Sequence, residues 1–490
     1  MGMIKIKRER ETGFMLMTSP GFSCLPPESK PRALRVLLKF LPVLTLCLIT
    51  VFQVKAQAND TLRLTLDEAL NSAVTGNADI LIAELEIQRA QSQRRAVTGG
   101  FLPQIGVDGQ YTRNLKRPVF FLPAGSNFPG GGGGGGGGTQ EGSVIEAGFD
   151  NSYTLTGQAT LPLYSRELIA NARAAKTAVS ISERGLDINM NDATAQVRKA
   201  YYDALLARES LEVLEISLEN AQQNFINTQN QFAQELVPEY DVIRAQVQVE
   251  NVRPDILQGE NDYEAAISNL KLLANIPDEV PVVLAQTLEG LMQGDNAELL
   301  AQYTIQSNPN LLQLNAQAVY QQEQIKVQQS TFFPSLAAFG NYAYQTQAND
   351  FNFGEYLWVN TSAVGLQLSI PVFQGLTRLR QVEQARIDLK QTEIQRKYLT
   401  KSLTIQARNA LNRVQRARAS MEAQQVNIAQ AQRGFEIAQV SYRSGYGTLI
   451  EVNDAELALT QARLGYIQVI YEYLNALADF KQLTGNESNE

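Results

Sequence analysis

The chain contains no histidine in its 490 residues. Imidazole is the usual metal ligand and the usual base near neutral pH. Most zinc chemistry and every Ser–His or Cys–His nucleophile pair is therefore excluded. Cysteine is almost as scarce: Cys24 and Cys47 are the only two. Beyond them the chain has no thiol to ligate, attack or cross-link. After Ala58 there is no run of about 18 apolar residues, so no membrane-spanning helix is expected there. Basic charge is also short. Of the 42 Lys+Arg and 50 Asp+Glu, nine and three precede residue 59, which leaves a net charge of −14 on the rest. That balance disfavours nucleic acid as a partner. No cofactor, metal site or catalytic constellation is expected. Paired acids such as Asp67-Glu68 sit where a helix starts, and capping accounts for them.

What is present begins with a segment to be set aside. Lys30, Arg32, Arg35 and Lys39 precede an apolar run from Leu41 to Val54, and Ala56-Gln57-Ala58 supplies small residues for cleavage. Residues 1–58 are expected to be a secretory signal. A transmembrane anchor is the alternative, but the run is short for that and abuts the Ala-x-Ala site. The first thirty residues are oddly composed for a signal and suggest a start read too early. Neither cysteine follows the small residue that a lipoprotein signal wants.

The remaining chain is written twice. Phe101-Leu102-Pro103 with Gly109 and Tyr111 recurs as Phe332-Phe333-Pro334 with Gly340 and Tyr342. Leu161-Pro162-Leu163-Tyr164 recurs as Ile370-Pro371-Val372-Phe373, and Tyr240-Asp241-Val242 as Ile450-Glu451-Val452. Two similar supersecondary units are expected, over 59–285 and 286–485, with a tail at 486–490. In the first, Thr65-Leu66-Asp67-Glu68 is a capping box opening a short helix. Asn77 opens a second helix, which Gly99 and Gly100 stop. In the second, Ala297–Gln306 is the short helix and Asn308-Pro309 opens the next.

After each Phe-x-Pro the period changes to two. Tyr153, Leu155, Gly157, Ala159 and Leu161 alternate with Thr154, Thr156, Gln158 and Thr160. Val364, Leu366, Leu368 and Ile370 alternate with Gly365, Gln367 and Ser369. Pro162 and Pro371 are expected to end these strands. With partners at Ile105–Arg113 and Leu336–Tyr344, that makes four strands. About eight is the smallest number that closes a useful barrel. The four therefore read as part of a barrel shared between chains, or as a sheet packed on the helices. In the second unit about 13 residues, Gln345 to Leu357, join the strands. In the first the joining segment holds nine consecutive glycines, Gly130 to Gly138. No Lys-Ser/Thr follows them, so they do not cradle phosphate; a solvent-exposed loop tip is expected.

No proline occurs from about Ser165 to Ala233 or from Leu376 to Ser444. Each stretch would make a helix roughly 100 Å long. Each is followed by another helix, giving a long hairpin. Apolar positions are sparse, among them Leu403, Leu411, Val414 and Met421, and Ala, Gln, Asn and Arg abound. So narrow a seam suits coiled packing against neighbours, and the amides suit a water-filled lumen. A soluble coiled-coil scaffold fits the helices equally well. At the tips, Gly445 suits the left-handed position ending a helix and Thr448 or a neighbour can cap the next. Glu235 stands where Gly445 does, and Pro238 suits the first helical position. With Pro254 inside the return helix, a local bend is expected in the first hairpin. Leu236, Val237, Tyr446 and Leu449 are apolar residues at a tip, which invites a protein partner. A plain capped turn explains the glycines but not these side chains.

The order helix, Phe-x-Pro, strand, strand, Pro, long hairpin, twice over, resembles the TolC family of outer-membrane efflux proteins. So do Tyr442, Gly445, Thr448-Leu449-Ile450-Glu451-Val452 and Asp454-Ala455, with Leu483-Thr484-Gly485 closing the last helix. The resemblance spans about Leu64 to Gly485. It implies a mainly α fold with a β part: a homotrimer whose hairpins form a hollow α-barrel and whose chains give four strands each to a twelve-stranded β-barrel. It implies a passive exit duct in a Gram-negative outer membrane, reaching into the periplasm, for small molecules or exported protein. Its partners would be outer-membrane lipid, a periplasmic adaptor and an inner-membrane pump of RND or ABC type. The adaptor would dock on Glu235, Leu236, Val237 and Pro238, and on Gly445, Tyr446, Gly447, Thr448 and Leu449. The periplasmic mouth would be lined and held shut by Asp241, Tyr442, Glu451 and Asp454. Rings of such carboxylates would favour cations. Their alternative role is to stabilise helix N-termini, worth about 0.3–1 kcal/mol each. Where some relatives place an Arg that pairs with the acid at Asp241, this chain has Gly447, which puts that ion pair in doubt.

Overall fold

The computed structural model describes residues 62–117, 119–122, 143–146, 148–292 and 303–485. The expected signal, the nine glycines, residues 297–302 of the expected helix and the tail lie outside them. Residues 303–306 of that helix are not helical.

The first half runs β1 (Leu62–Leu64), α1 (Leu66–Gly76), α2 (Ala78–Gly99), β2 (Gln104–Arg113), β3 (Val119–Leu122), β4 (Ser143–Glu146), β5 (Asn151–Ser165), α3 (Arg166–Ala233) and α4 (Glu239–Leu273). A link holds β6 (Val282–Leu284) and α5 (Leu288–Met292). The second half runs α6 (Pro309–Ser330), β7 (Ser335–Ala348), β8 (Val359–Ser369), α7 (Thr377–Arg443) and α8 (Leu449–Thr484). Local chemistry sets most boundaries. The Thr65 hydroxyl accepts from the Glu68 amide while the Glu68 carboxylate accepts from the Thr65 amide. Asn77 and Asn308 cap α2 and α6 in the same way, with Pro309 in the first turn of α6.

Three sequence expectations need correction. Pro162 does not end β5, which runs on to Ser165; the register shifts between Pro162 and Tyr164, and a bulge there absorbs a proline that cannot donate to the ladder. The described strands exceed four, because β1 pairs parallel with β6 and β3 pairs with β4 inside the segment expected to be an irregular loop. The hairpins are also lopsided. The outgoing helices α3 and α7 have 68 and 67 residues, the returning α4 and α8 only 35 and 36. The strand-proximal half of α3 is covered instead by α2 and α6, with Ala170 and Ala174 packed on Val327 and Tyr320.

The main core therefore sits at mid-length of the long helices. Val197, Tyr201 and Leu205 of α3, Val414 and Met421 of α7, and Ile470 and Leu474 of α8 meet α1, β1 and β6 there. The Tyr201 hydroxyl donates to the Leu64 carbonyl at 3.0 Å, and the Arg208 guanidinium donates to the Leu284 and Gln286 carbonyls. These bonds clamp the linking segments onto α3 like a belt. The long helices run on beyond it in both directions, towards the sheet and towards the tips.

Candidate functional site

One end of the chain is a four-stranded antiparallel sheet of order β2-β5-β7-β8. Register decides what its faces carry, because a slip of one residue would exchange them. Ile105, Ala159, Gly340 and Val364 stand side by side across the sheet. So do Val107, Gly157 and Tyr342, and so do Leu161, Ala338 and Leu366. On the opposite face Asp108, Thr156, Ala343 and Thr361 share a row, as do Gly106, Gln158, Asn341 and Ala363. The Gln158 amide donates to the Asp108 carboxylate at 3.1 Å on that polar face. Among the described residues no helix covers the apolar face, and Ile105, Val107, Val364 and Leu366 are exposed. Its end far from the helices is aromatic: Tyr111 stacks on Tyr153 at 5.0 Å and Tyr344 on Trp358 at 4.9 Å. Aromatic rims beside an uncovered apolar band are what a bilayer-facing barrel wall presents. Among the described residues the edges β2 and β8 each lack a neighbour on one side.

The other end holds the two hairpin tips, and they are built alike. The Leu236 amide donates to the Gln231 carbonyl and the Tyr446 amide to the Ser441 carbonyl, each a six-to-one bond ending a long helix. That bond needs a left-handed residue just before it. Gly445 takes φ of 74°, and Glu235 takes φ of 59° despite its side chain. Glu235 is therefore strained, and α4 stays helical through Pro254. Pro238 is not the first helical residue but the residue before it, extended at φ −71° and ψ 156°. Leu236 and Tyr446 hold equivalent positions and are 68% and 91% exposed. Val237 is half-buried. Leu449, expected to be exposed, is 3% exposed, packed with Phe435, Tyr442 and Val452. It opens α8 on the face that meets α7, so its side chain is withdrawn from the tip.

The four expected mouth residues divide. The Thr448 hydroxyl accepts from the Glu451 amide, and the Glu451 carboxylate accepts from the Thr448 amide at 2.9 Å. Glu451 is therefore used as half of a capping box. Asp454 is exposed on the next turn. Tyr442 is buried, and its hydroxyl lies 3.1 Å from the Thr228 hydroxyl of α3. Burial pushes the Tyr442 hydroxyl up, the Thr228 bond opposes this, and the nearby Asp241 carboxylate adds to the rise. The Asp241 charge is thus felt at Tyr442, while Glu451 and Asp454 stand in the first turns of α8. A side chain at Gly447 would have its Cβ 3.0 Å from that of Ser441 and 3.1 Å from the Glu451 carboxylate. A side chain there would require these neighbours to give by a few tenths of an ångström.

Sequence reasoning missed the seam above this point. Ser217, Ala221, Asn224 and Thr228 are buried along one stripe of α3. Their spacing of four, three and four is the heptad step, a signal that was there to read. The Ser217 hydroxyl donates to Glu456 of α8 at 3.2 Å. Glu456 is 2% exposed, and burial pushes its carboxyl up to about 7.

A sheet apolar on one face and polar on the other, open at both edges and carried on helices of about 100 Å, defines a segment of a conduit wall. The sequence profile of the family described as outer membrane efflux protein matches residues 69–275 and again 300–486, so the chain belongs to that family. It is an outer-membrane protein of the transport class. It is 22% identical to the outer membrane protein TolC of Vibrio cholerae, over 77% of this chain and 84% of the relative. It is 21% identical to the alkaline protease secretion protein AprF of Pseudomonas aeruginosa, over 71% of this chain and 72% of the relative. The fold matches a crystal structure of CusC, described for folding and transmembrane channel formation, with TM-score 0.66 and 18% identity, covering 86% of this chain and 93% of that one.

Proposed function

We propose that the chain is one third of a passive exit duct of a tripartite efflux or type I secretion system. The single observation carrying this is the register of the sheet, which gathers apolar residues on one face while leaving β2 and β8 open. Four strands cannot close around a lumen, whereas β8 of one copy added to β2 of the next gives twelve strands in a threefold ring. The polar face then lines the pore and the apolar face meets lipid. The two halves, 59–285 and 286–485, supply one hairpin each, so three chains place six hairpins around the axis. The chain performs no chemistry, and the work comes from an inner-membrane pump of RND or ABC type.

The tips are the docking surface for a periplasmic adaptor, centred on Leu236 and Tyr446 and framed by Glu235, Val237, Pro238, Gly445, Gly447 and Thr448. The mouth is held by the Tyr442–Thr228 bond with Asp241 beside it, while Glu451 and Asp454 add negative charge around the opening. Purified protein inserted in a planar bilayer should give discrete, cation-preferring conductance steps. A detergent-extracted protein that runs as a monomer and conducts nothing would sink the reading. The alkaline protease secreted through AprF's system shows that relatives of this chain can serve large cargo. The pump beside this chain sets its own cargo.

A further inference from the structure

Where the sheet hands over to the long helices there is a groove of about 650 Å³, lined by residues of both halves. Arg166 enters it directly after β5 and Arg378 soon after β8. The Arg166 guanidinium lies 3.7 Å from the centre of the Phe333 ring, and that of Arg378 lies 6.0 Å from the centre of Phe332. Among the described residues neither has an ion pair or a hydrogen bond. Glu167 is the one acid in the lining, and it pairs with neither. A guanidinium held over an aromatic face can still offer its N–H groups to an anion, and that planar fork suits phosphate oxygens. Both cations also stand in the first turn of a long helix, where positive charge opposes the helix dipole and a nearby anion would offset it.

The surroundings narrow the source of that anion. Ile370 and Val372 continue the alternation of the apolar face of β8, and with Phe373 they are exposed at the rim of the groove. A cationic floor beside an apolar rim, at the end of the bilayer-facing sheet, matches a phosphodiester carrying acyl chains. We propose that the groove lined by Arg166, Arg378 and Phe333 binds the phosphate of a membrane phospholipid, with its chains along Ile370, Val372 and Phe373. This rests on the outer-membrane reading of the sheet. One lipid per chain would then anchor the junction between barrel and helices at the inner leaflet.

The test uses the full-length protein, delipidated in detergent and incubated with phosphatidylglycerol, with bound lipid counted by native mass spectrometry. The Arg166→Gln/Arg378→Gln variant should retain about tenfold less lipid, as expected for losing charge-assisted contacts. Arg380→Gln, which breaks only the exposed pair with Glu383, should retain it fully. Excess inorganic phosphate should not displace the lipid. Unchanged retention in the double variant overturns the proposal, and so does full displacement by inorganic phosphate, which would make the groove a soluble-anion site. If the double variant fails to assemble, Arg166→Lys replaces it, keeping charge but losing the fork, and must also retain less lipid. Conductance measured on the same samples separates the two readings: protein that conducts but ignores these substitutions overturns the groove alone.

Discussion

The two hairpin tips place different residues in the same left-handed turn. Gly445 takes its left-handed turn freely, whereas Glu235 takes the same turn against the contact of its Cβ with the backbone, at about 1–2 kcal/mol. Glu235→Gly should therefore stabilise the first tip by about 0.5–1 kcal/mol, after the entropy that glycine gains when unfolded. Slower amide hydrogen exchange across Phe232–Asp241 would show it, and faster exchange would contradict it. Glu456 makes a second prediction. Its folded carboxyl titrates at about 7 against an ordinary value of 4.5, so the folded chain holds a proton that the unfolded chain releases between those values. The stabilisation is complete below about 4.5 and is lost as pH rises through about 7. Glu456→Gln should leave stability near pH 4.5 unchanged and raise it at pH 8 by on the order of 2–3 kcal/mol. Thermal unfolding of the detergent-solubilised protein at the two pH values decides this.

At the scale of elements, the seam between α3 and α8 differs from the belt at mid-length. The belt buries Tyr201, Leu205, Ile470 and Leu474 among one another. The seam buries Ser217, Asn224, Thr228 and Glu456, and Asn224 and Glu456 each keep a buried polar atom without a partner. Such groups forgo about 1–3 kcal/mol each. The tip-proximal part of the molecule is accordingly held by a few directional bonds, and on the proposed reading it is the part that opens for cargo. Tyr442→Phe removes the bond to Thr228 while keeping the ring in its apolar cluster. It should cost about 1 kcal/mol of stability, and raise the open fraction in single-channel recordings; an unchanged open fraction would remove Tyr442 from the mouth. For docking, Leu236→Asp with Tyr446→Asp should abolish co-purification with the adaptor while leaving oligomeric state and conductance intact.

At the scale of the whole molecule, function depends on what one chain leaves unfinished. Among the described residues its sheet has two open edges and an uncovered apolar face, both hazards in a monomer, and the proposed ring closure within a bilayer would remove both. A charge on that face should be excluded from lipid. Val364→Arg, near the middle of β8, is expected to cost about 2–4 kcal/mol, whereas Thr361→Arg on the polar face should be tolerated and shift ion selectivity towards anions. Assembly yield for the first and reversal potential for the second are the measurements.

By itself the sequence determined what depends on near neighbours along the chain. The capping box at Thr65, the proline-free stretches that became α3 and α7, and the alternation of β5 and β8 were all legible, because each is a property of a few consecutive residues. The repeated order of motifs and the signature around Gly445 carried the family as well. What only the tertiary structure decided involves residues far apart. The Glu456 carboxyl meets Ser217 across 239 residues, and Tyr442 meets Thr228 across 214. The β1–β6 pair joins segments too short to announce themselves, and Leu449 is buried by helices that meet only after the turn closes. Register is the plainest case. Each strand shows two faces, but only pairing across four strands puts the apolar ones together, and the wall of a conduit exists only once they are.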